Sequence, residues 1–375
     1  MPGLLPNVDP TGLLEYSVVY SDRALNHMSQ AFQRTLRDIL GQLETVYGAR
    51  SAIVVPGSGT FGMEAVARQF ATGKRCLVIR NGFFSYRWTQ IFDTGRIPAE
   101  ARVLKARAVE SGDQPCFAPP PITDVLAAIR EFRPDIVFAP HVETASGIKL
   151  PDDYLRQIAA AVHAVGGLFV LDCIASGALW VNMRDAHVDI LLSAPQKGWS
   201  ASACCGLVML GEEARERIET TRSSSFACDL RAWLRIMEAY EKGGHAYYAT
   251  LPTDALVTLR NTMLEIQTYG YSRVRDEQQG LGDAVRSLLR ERGFKSVAAP
   301  GFEAPSVIVS YTTDPDIAST HKFIEAGVQI AAGVHLVCDE PEDFRTFRIG
   351  LFGLEKLHNP ERSVAHLAKA LDRVH

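Results

Sequence analysis

Two apolar runs, GLFVLD (residues 167–172) and DILLSAPQK (residues 189–197), decide the fold class of this chain. Each run has the length and composition of a buried strand, and each leads to one charged residue, Asp172 in the first and Lys197 in the second. Because the carboxyl ends of parallel strands meet at one edge of a sheet, we expect this carboxylate and this amine to lie close together.

Strand-like runs alternate with helix-like segments through the first two thirds of the chain, which is typical of a parallel sheet covered by helices. Strands are predicted at 51–55, 76–80, 136–140 and 206–210, besides those ending at Asp172 and Ser193. Helices are predicted at 28–47, 61–71, 122–132 and 152–165, with long helical stretches from 230 to 292.

A change of pattern near residue 293 indicates a second, α+β lobe. Short strands are predicted there at 306–311, 328–331 and 346–349, and helices at 321–326 and 360–374. We therefore predict an α/β fold with three parts: an N-terminal arm (1–20), a large domain with a mainly parallel sheet (21–265) and a smaller C-terminal α+β domain (266–375).

Length, charge and cysteine content limit the class of protein. A chain of 375 residues exceeds the roughly 250 to 300 at which a single core stops growing, so two lobes are expected. The net charge of -4 and the lack of a basic cluster disfavour nucleic acid and membrane as partners. No apolar run spans a bilayer, and MPGLLP (1–6) does not resemble a signal peptide, so a cytoplasmic location is expected. Seven cysteines without a C-x-x-C pair argue against disulfides and against a bound metal.

The turn after the first predicted strand, VVPGSGTFG (54–62), has the composition of a phosphate cradle. Small residues let backbone N–H groups approach an anion, and the dipole of the following helix favours negative charge. The turn also fits G-x-G-x-x-G, so a dinucleotide site stays open, with Arg80 as a partner for a 2′-phosphate. A plain helix N-cap is a further account, whereas a Walker motif is excluded because no lysine follows Gly62.

An acid, an amine and a phosphate cradle at one sheet edge are what pyridoxal phosphate (PLP) requires, since its ring nitrogen needs an acid and its aldehyde an amine that forms a Schiff base. Further groups follow other strands: Phe84 is suited to stack on the ring, Thr144 to meet its phenolic oxygen and Arg348 to hold a carboxylate. The alternatives are that the phenylalanines belong to the core, that His141 is structural and that Arg348 forms an internal salt bridge.

In this order and spacing the motifs resemble the fold-type I PLP enzymes, and among them the class V aminotransferases of the alanine-glyoxylate and serine-glyoxylate type. The resemblance runs from about Leu25 to the end of the chain. Its most specific parts are GSGT (57–60), NGFF (81–84), HVETASG (141–147), the strand ending at Asp172, SAPQK (193–197) and RIGLFG (348–353).

The resemblance implies a role for each matching residue. It implies that the phosphate is held by Ser58, Gly59, Thr60 and Gln196. It implies that Phe84 stacks on the ring and that Thr144 binds the phenolic oxygen. It further implies that Asp172 binds the ring nitrogen and Arg348 the substrate carboxylate. It also implies a homodimer, in which YYATLP (247–252) brings Tyr247 and Thr250 to the phosphate of the partner.

Two segments depart from the family. PGLLP (2–6) with an arm through Glu15 replaces the usual Pro-Gly-Pro opening, and WSASACCG (199–206) replaces the Pro-Pro-Gly that often follows the lysine. Both are expected near the substrate. Cysteine desulfurases share the fold, but Phe84 stands where they have a histidine, and Cys228 follows Lys197 by only thirty-one residues.

We therefore predict a dimeric aminotransferase with PLP as cofactor, which moves an amino group from a small amino acid such as alanine or serine to glyoxylate or pyruvate. One arginine, with Phe84 and Trp199 around the ring, favours donors with a single carboxylate, unless Arg80 or Arg87 turns inward. Four alternatives stay open: a 2-aminoethylphosphonate-pyruvate transaminase, a PLP-dependent lyase, an NADP-binding oxidoreductase and a non-catalytic scaffold.

Overall fold

The structure is a computed structural model that describes residues 8–374. The first seven residues of the predicted arm, which include the segment PGLLP (2–6), lie outside this range. The strands in chain order are β1 (Ser51–Pro56), β2 (Arg75–Arg80), β3 (Glu100–Lys105), β4 (Arg107–Ala108), β5 (Phe117–Ala118), β6 (Ile136–Pro140), β7 (Leu168–Asp172), β8 (Ile190–Ser193), β9 (Cys205–Leu210), β10 (Val307–Tyr311), β11 (Ala331–Ala332) and β12 (Thr346–Gly350).

Helices fill most of the intervals between these strands, so the alternation predicted from the sequence is present. The helices are α1 (Gln30–Tyr47), α2 (Gly59–Phe70), α3 (Phe83–Gly95), α4 (Ile122–Phe132), α5 (Asp152–Ala164), α6 (Met183–Ala186), α7 (Glu212–Arg217), α8 (Leu230–Glu241), α9 (Thr253–Tyr269), α10 (Tyr271–Glu291), α11 (Pro315–Ala318), α12 (His321–Glu325), α13 (Leu354–Leu357) and α14 (Pro360–Val374), with a 3-10 turn at Ile218–Thr220.

The largest sheet has seven strands in the order β1-β9-β8-β7-β6-β2-β3. Strands β3, β2, β6, β7 and β8 run parallel, while β9 is antiparallel to both of its neighbours. Every residue of β6, β7 and β8 is buried, because helices cover both faces of the sheet. The predicted mainly parallel α/β fold is confirmed.

Several elements were not predicted from the sequence, among them the short β4, β5, α6 and α7 and the longer β3 and α3. Strand β3 carries Glu100, Arg102 and Lys105 at the edge of the sheet, where half of its residues are exposed, so it lacks an apolar run. Helix α3 begins at Phe83, inside the segment NGFF (81–84), which the sequence analysis treated only as a loop at the strand end.

A separate three-stranded antiparallel sheet has the order β10-β12-β11. Its central strand β12 carries Arg348, and the strand predicted at 328–331 is reduced to the exposed pair Ala331–Ala332. The predicted boundary at residue 265 falls inside α9, which packs on α1 through an ion pair between Arg260 and Asp38. The division into domains therefore stays a prediction.

All seven cysteines are free thiols, and six of them are buried. Within residues 8–374, no helix has both the length and the apolar character needed to span a membrane. The same residues contain no group of three or more histidine, cysteine, aspartate or glutamate side chains arranged to hold a metal ion.

Candidate active site

A cavity of about 180 Å³ opens at the carboxyl edge of the seven-stranded sheet. Loops that follow β1, β2, β6, β7 and β8 line it, so residues far apart in sequence meet there. Eight residues singled out from the sequence are in its wall: Ser58, Gly59, Thr60, Phe84, Thr144, Asp172, Gln196 and Lys197. A larger hollow of about 320 Å³ lies against residues 8–29, but neither a lysine nor a buried carboxylate lines it.

The first turn of α2 forms one wall of the cavity and has the features of an anion cradle. Ser58 is the N-cap of α2, yet its side chain makes no capping hydrogen bond, which leaves its hydroxyl and the first amides of the helix available. The Gln196 amide opposite has a buried oxygen without a partner. The Ser58 hydroxyl and the first amides of α2 fit a phosphate, because they are donors without a partner and phosphate oxygens accept; Gln196 would contribute the NH2 group of its amide instead of its oxygen.

Two glycines allow this close packing. Gly57 has a φ of +123°, and a Cβ there would lie 2.6 Å from the ring of Phe61. Gly206 on β9 comes so near the start of α2 that a Cβ would lie 2.8 Å from the backbone nitrogen of Gly62 and 2.9 Å from the carbonyl oxygen of Ser58. A side chain at either position would therefore displace the cradle.

Asp172 lies at the end of β7, where the backbone N–H of Ile174 donates to its Oδ1 at 2.9 Å. Burial is the main cause that raises the pKa of Asp172, to about 7; the negative charge of Glu143 adds to the effect and the positive charge of Arg87 opposes it. A carboxyl group in this state is ready to share a proton with a cationic ring nitrogen.

Lys197 follows β8 and lines the same cavity, half-buried and without a carboxylate partner among residues 8–374. Its Nζ lies 4.8 Å from the centre of the Phe352 ring. Burial lowers the pKa of the Lys197 amine, and the positive charge of Arg348 lowers it further. An amine without an acid partner and with a lowered pKa is suited to act as a nucleophile.

Phe84 is held in the cavity wall by a carboxylate that the sequence analysis left without a role. Glu143 is fully buried and accepts hydrogen bonds from the backbone N–H of Phe84 at 3.1 Å and of Ser85 at 2.9 Å. The Ser85 hydroxyl donates to the same carboxylate at 2.6 Å. Because an anion at a helix N-terminus is stabilised by the free amides and the helix dipole, Glu143 fixes the start of α3. The sequence feature that could have indicated this role is the position of Glu143 between His141 and Thr144, shortly after a buried strand.

Arg348 reaches the mouth of this site from the small sheet. Its Nε donates to the carbonyl oxygen of Ala332 at 2.8 Å, and its guanidinium carbon lies 5.5 Å from the centre of the Phe84 ring. No carboxylate within residues 8–374 pairs with it, so the alternative of an internal salt bridge is wrong. The terminal nitrogens of Arg348 are left to bind an external anion.

Tyr247 and Thr250 lie away from the cavity of their own chain. Their hydroxyl oxygens are 3.1 Å apart, and Tyr247 is about 55% exposed. Neither residue lines the cavity, so the structure of one chain does not bring them to the cradle. Their contribution to a partner subunit stays a prediction.

Other expectations are corrected or decided by the structure. Trp199 does not lie near the ring position: it is fully buried and packs on Trp180, with ring centres 4.7 Å apart. Arg80 points to Thr89 and to the carbonyl of Val337 instead of the cavity. His141 is structural, since it is buried and its Nδ1 lies 2.7 Å from the Ser176 hydroxyl.

The glycine turn does not form a dinucleotide site. In such a site the strand before the turn lies inside a parallel sheet and pairs with parallel neighbours. Here β1 is an edge strand, and its partner β9 is antiparallel. This topology does not match the NADP alternative.

Curated relatives of this chain are aminotransferases, although no protein-family model matches the chain. The L-aspartate–glyoxylate aminotransferase of Paracoccus denitrificans is 25% identical over 336 residues, covering 88% of this chain and 81% of that protein. The 2-aminoethylphosphonate–pyruvate transaminase 2 of Paraburkholderia xenovorans is 27% identical, covering 92% and 90%. The alanine–glyoxylate aminotransferase 1 of Saccharomyces cerevisiae is 27% identical, covering 83% of each chain.

Solved structures show the same fold. The alanine–glyoxylate aminotransferase from Nostoc sp. superposes with a TM-score of 0.79 at 20% identity, over 93% of this chain and 89% of that one. The ureidoglycine–glyoxylate aminotransferase from Bacillus subtilis gives a TM-score of 0.76 at 20% identity, over 93% and 86%. The resemblance inferred from the motifs is confirmed: the homologues are aminotransferases named for glyoxylate or pyruvate, and the fold is that of fold-type I aminotransferases.

Proposed function

We propose that this homologue of the class V aminotransferases is itself a PLP-dependent aminotransferase. It moves an amino group from a small amino acid of the alanine or serine type to a short 2-oxo acid, glyoxylate or pyruvate. One observation carries the proposal: three features line the same cavity. They are the buried acid Asp172, the amine of Lys197, which has no acid partner, and the anion cradle at the first turn of α2.

Different residues of the cavity would contact different parts of PLP. Ser58, Gly59, Thr60 and Gln196 bind the phosphate, and Phe84 stacks on the ring, an interaction worth about 0.5 to 1.5 kcal/mol. Thr144 donates to the phenolic oxygen, and Asp172 holds the proton on the ring nitrogen. When bound, PLP supplies an aldehyde carbon that takes up and returns the amino group and a ring that accepts an electron pair.

Lys197 has two tasks in this scheme, and its lowered pKa suits both. Its neutral Nζ anchors the cofactor until a substrate amine takes its place. The Lys197 amine would then carry a proton between the Cα of the donor and the aldehyde carbon of the cofactor. Arg348 binds the donor carboxylate through its free terminal nitrogens and so orients the Cα–H bond toward Lys197.

A 2-aminoethylphosphonate–pyruvate transaminase is the second candidate. It is favoured by one observation, the presence of Arg87 in the cavity wall as a further cation that suits a doubly charged acid group. The relatives bear names of both kinds, so the homology alone does not separate the two donors.

The remaining parts of the proposal concern assembly and location. We infer a homodimer in which Tyr247 and Thr250 complete the cradle of the partner, because in their own chain they stand exposed and outside the cavity. We infer a cytoplasmic location from seven free thiols, since cysteines in oxidising compartments are commonly paired.

An absorption spectrum of the purified protein tests the cofactor. A visible band that borohydride abolishes is expected in the parent and not in a Lys197→Ala variant. The donor is then tested in single half-reactions, in which alanine, serine, aspartate and 2-aminoethylphosphonate are added one at a time without a 2-oxo acid. A parent without any such band after incubation with PLP would reject the proposal.

A further inference from the structure

We propose that Arg87 binds the phosphate of the cofactor, through a guanidinium group that Thr60 orients. The inference rests on the proposed function, because it assumes that PLP occupies the cavity. It assigns a charged phosphate ligand that the motifs do not contain, and it removes Arg87 as a receptor for a second acid group of the substrate.

Arg87 joins the two helices that border the cavity. It lies on α3, and its Nη1 donates to the Thr60 Oγ1 on the first turn of α2 at 2.9 Å. Its guanidinium carbon lies 5.3 Å from the centre of the Phe84 ring. A planar fork that is fixed at one nitrogen and packed against a ring has lost most of its freedom, so its other donors have a defined direction.

The hydrogen-bonding capacity of Arg87 is mostly unused. A guanidinium has five N–H donors, and within residues 8–374 only the one to Thr60 has a partner. No described carboxylate forms an ion pair with Arg87, although many of the arginines on the surface do pair with acids. A cation left in this state at the wall of a cavity indicates that its counter-ion is a ligand.

The charge balance of the cradle identifies the ligand. A phosphate monoester carries about -1.5 to -2 at pH 7, whereas a helix N-terminus contributes only about half a positive charge. The four predicted phosphate ligands, Ser58, Gly59, Thr60 and Gln196, are all neutral. Arg87 and Lys197 are the only cations in the described wall of the cavity, and Lys197 is committed to the aldehyde.

Arg87 and Arg348 are anchored to different parts of the molecule, although both guanidinium carbons lie within 5.5 Å of the centre of the Phe84 ring. Arg87 is tied to the cradle through Thr60, while Arg348 is tied to Ala332 in the small sheet. The hydrogen bond to Thr60 therefore directs Arg87 to the cradle and leaves the donor carboxylate to Arg348. The positive charge of Arg87 also lowers the pKa of Asp172, in accord with a place beside the ring nitrogen and the phosphate.

The test compares PLP with pyridoxal, which has the same ring and aldehyde but no phosphate. Apoprotein of the parent, Arg87→Met, Arg87→Lys and Arg68→Met is titrated with each compound, and binding is followed by absorbance. Arg68→Met is the matched control, because Arg68 lies at the other end of α2 and pairs with Glu64 at 2.7 Å. Circular dichroism and Tm of each apoprotein report on folding.

We expect Arg87→Met to weaken PLP about 10- to 100-fold, the range for losing a hydrogen bond between charged groups, and to leave the affinity for pyridoxal unchanged. The PLP affinity of Arg87→Lys, which keeps the charge and loses the planar fork, should lie between those of the parent and Arg87→Met. The affinity of Arg68→Met should match that of the parent. If Thr60 orients Arg87, the losses caused by Thr60→Val and Arg87→Met should combine less than additively.

Three results would overturn the inference. Equal weakening of PLP and pyridoxal would give Arg87 a structural role only. Unchanged PLP affinity with an altered ratio of kcat/KM for aspartate or 2-aminoethylphosphonate against alanine would make it a receptor for the distal acid. A parent that binds neither compound would reject the proposed function itself, an outcome distinct from the first two.

Discussion

Arg348 and Lys197 place two positive charges in one site, close enough for the arginine to lower the pKa of the lysine amine. They come from different sheets, and within residues 8–374 neither forms an ion pair with an acid, although the charge of the buried Glu143 opposes the lowering of the Arg348 pKa by burial. The donor carboxylate is therefore expected to supply the missing negative charge, and the reactivity of the amine depends on the arginine before any substrate arrives.

The first prediction follows from this pair. Arg348→Ala should raise the pKa of Lys197 toward its ordinary value, because only burial would still lower it. Less of the amine is then neutral at pH 7, so the rate at which apoprotein captures PLP should fall about two- to tenfold there and recover at higher pH. Stopped-flow absorbance from pH 6 to pH 10 measures this, with Arg348→Lys as the control that keeps the charge. Superimposable pH profiles of the parent and Arg348→Ala would contradict it.

The second prediction is that Lys197→Ala abolishes turnover and leaves the fold intact, because one amine is both the anchor and the proton carrier. The expected loss is at least about 10³-fold in kcat, by comparison with other positioned acid-base groups. Steady-state assays with added PLP measure it, and circular dichroism checks the fold. Turnover at the parent rate would mean that the reaction does not pass through this lysine.

The third prediction concerns Asp172→Asn. A neutral amide does not stabilise a proton on the ring nitrogen, so kcat should fall by about 10² or more, with weaker retention of PLP. Rapid-mixing half-reactions with alanine measure the rate, and dialysis followed by spectroscopy measures retention. A variant as active as the parent would remove Asp172 from the ring nitrogen.

Thermal unfolding of the Asp172→Asn apoprotein separates the loss of activity from misfolding. Burial raises the pKa of Asp172 from 3.8 to about 7, so the folded state holds this proton more tightly than the unfolded state does. The resulting stabilisation is full below pH 4 and is lost as the pH rises through 7. Between pH 4 and pH 7 the burial of this carboxylate becomes a growing cost that asparagine lacks, so the Tm of the variant should match that of the parent below pH 4 and exceed it by about 2 to 6 °C at pH 8.

The fourth prediction concerns the shared site. Tyr247→Phe combined with Thr250→Ala should loosen PLP about 100-fold or more, since each of the two lost bonds to a charged phosphate is worth about 1.5 to 3 kcal/mol. Equilibrium dialysis measures the affinity, and sedimentation measures the assembly. Tyr248→Phe is the control, because the Tyr248 hydroxyl bonds to the Phe226 carbonyl instead. A monomer that holds PLP tightly would refute a shared cradle.

The fifth prediction is that alanine and serine outperform aspartate, glutamate and 2-aminoethylphosphonate as donors. Arg348 fixes one carboxylate, and with Arg87 assigned to the phosphate the described cavity wall offers no free cation for a second acid. Arg348→Ala should cost about 2 to 5 kcal/mol in kcat/KM, as for the loss of one partner of a buried charge pair. Half-reaction rates decide, and a preference for any of the three diacidic or phosphonate donors would overturn this choice.

The site residues that were easiest to predict from the sequence are those placed directly by the end of a strand. Buried apolar runs are long and uniform, so the positions of Asp172 and Lys197 at one sheet edge followed directly. Roles that depend on contacts between distant segments were harder to foresee: Glu143 holds residues fifty-eight and fifty-nine positions before it, and Arg87 reaches back twenty-seven positions to Thr60. A loop residue such as Trp199 gives no sign of the direction in which its ring points, and the expectation for it was wrong.

The separation of Arg348 from the large sheet has a consequence for how such proteins diverge. The groups proposed to hold the cofactor lie at the ends of one rigid sheet, whereas the proposed carboxylate receptor is carried by β12 in the separate three-stranded sheet. Substitutions in 331–347, which leave Arg348 and its effect on the pKa of Lys197 in place, can then alter which donor is accepted while the residues around Lys197 stay unchanged. Selection, or a mutant library confined to that short segment, can explore new amines without first rebuilding the catalytic centre.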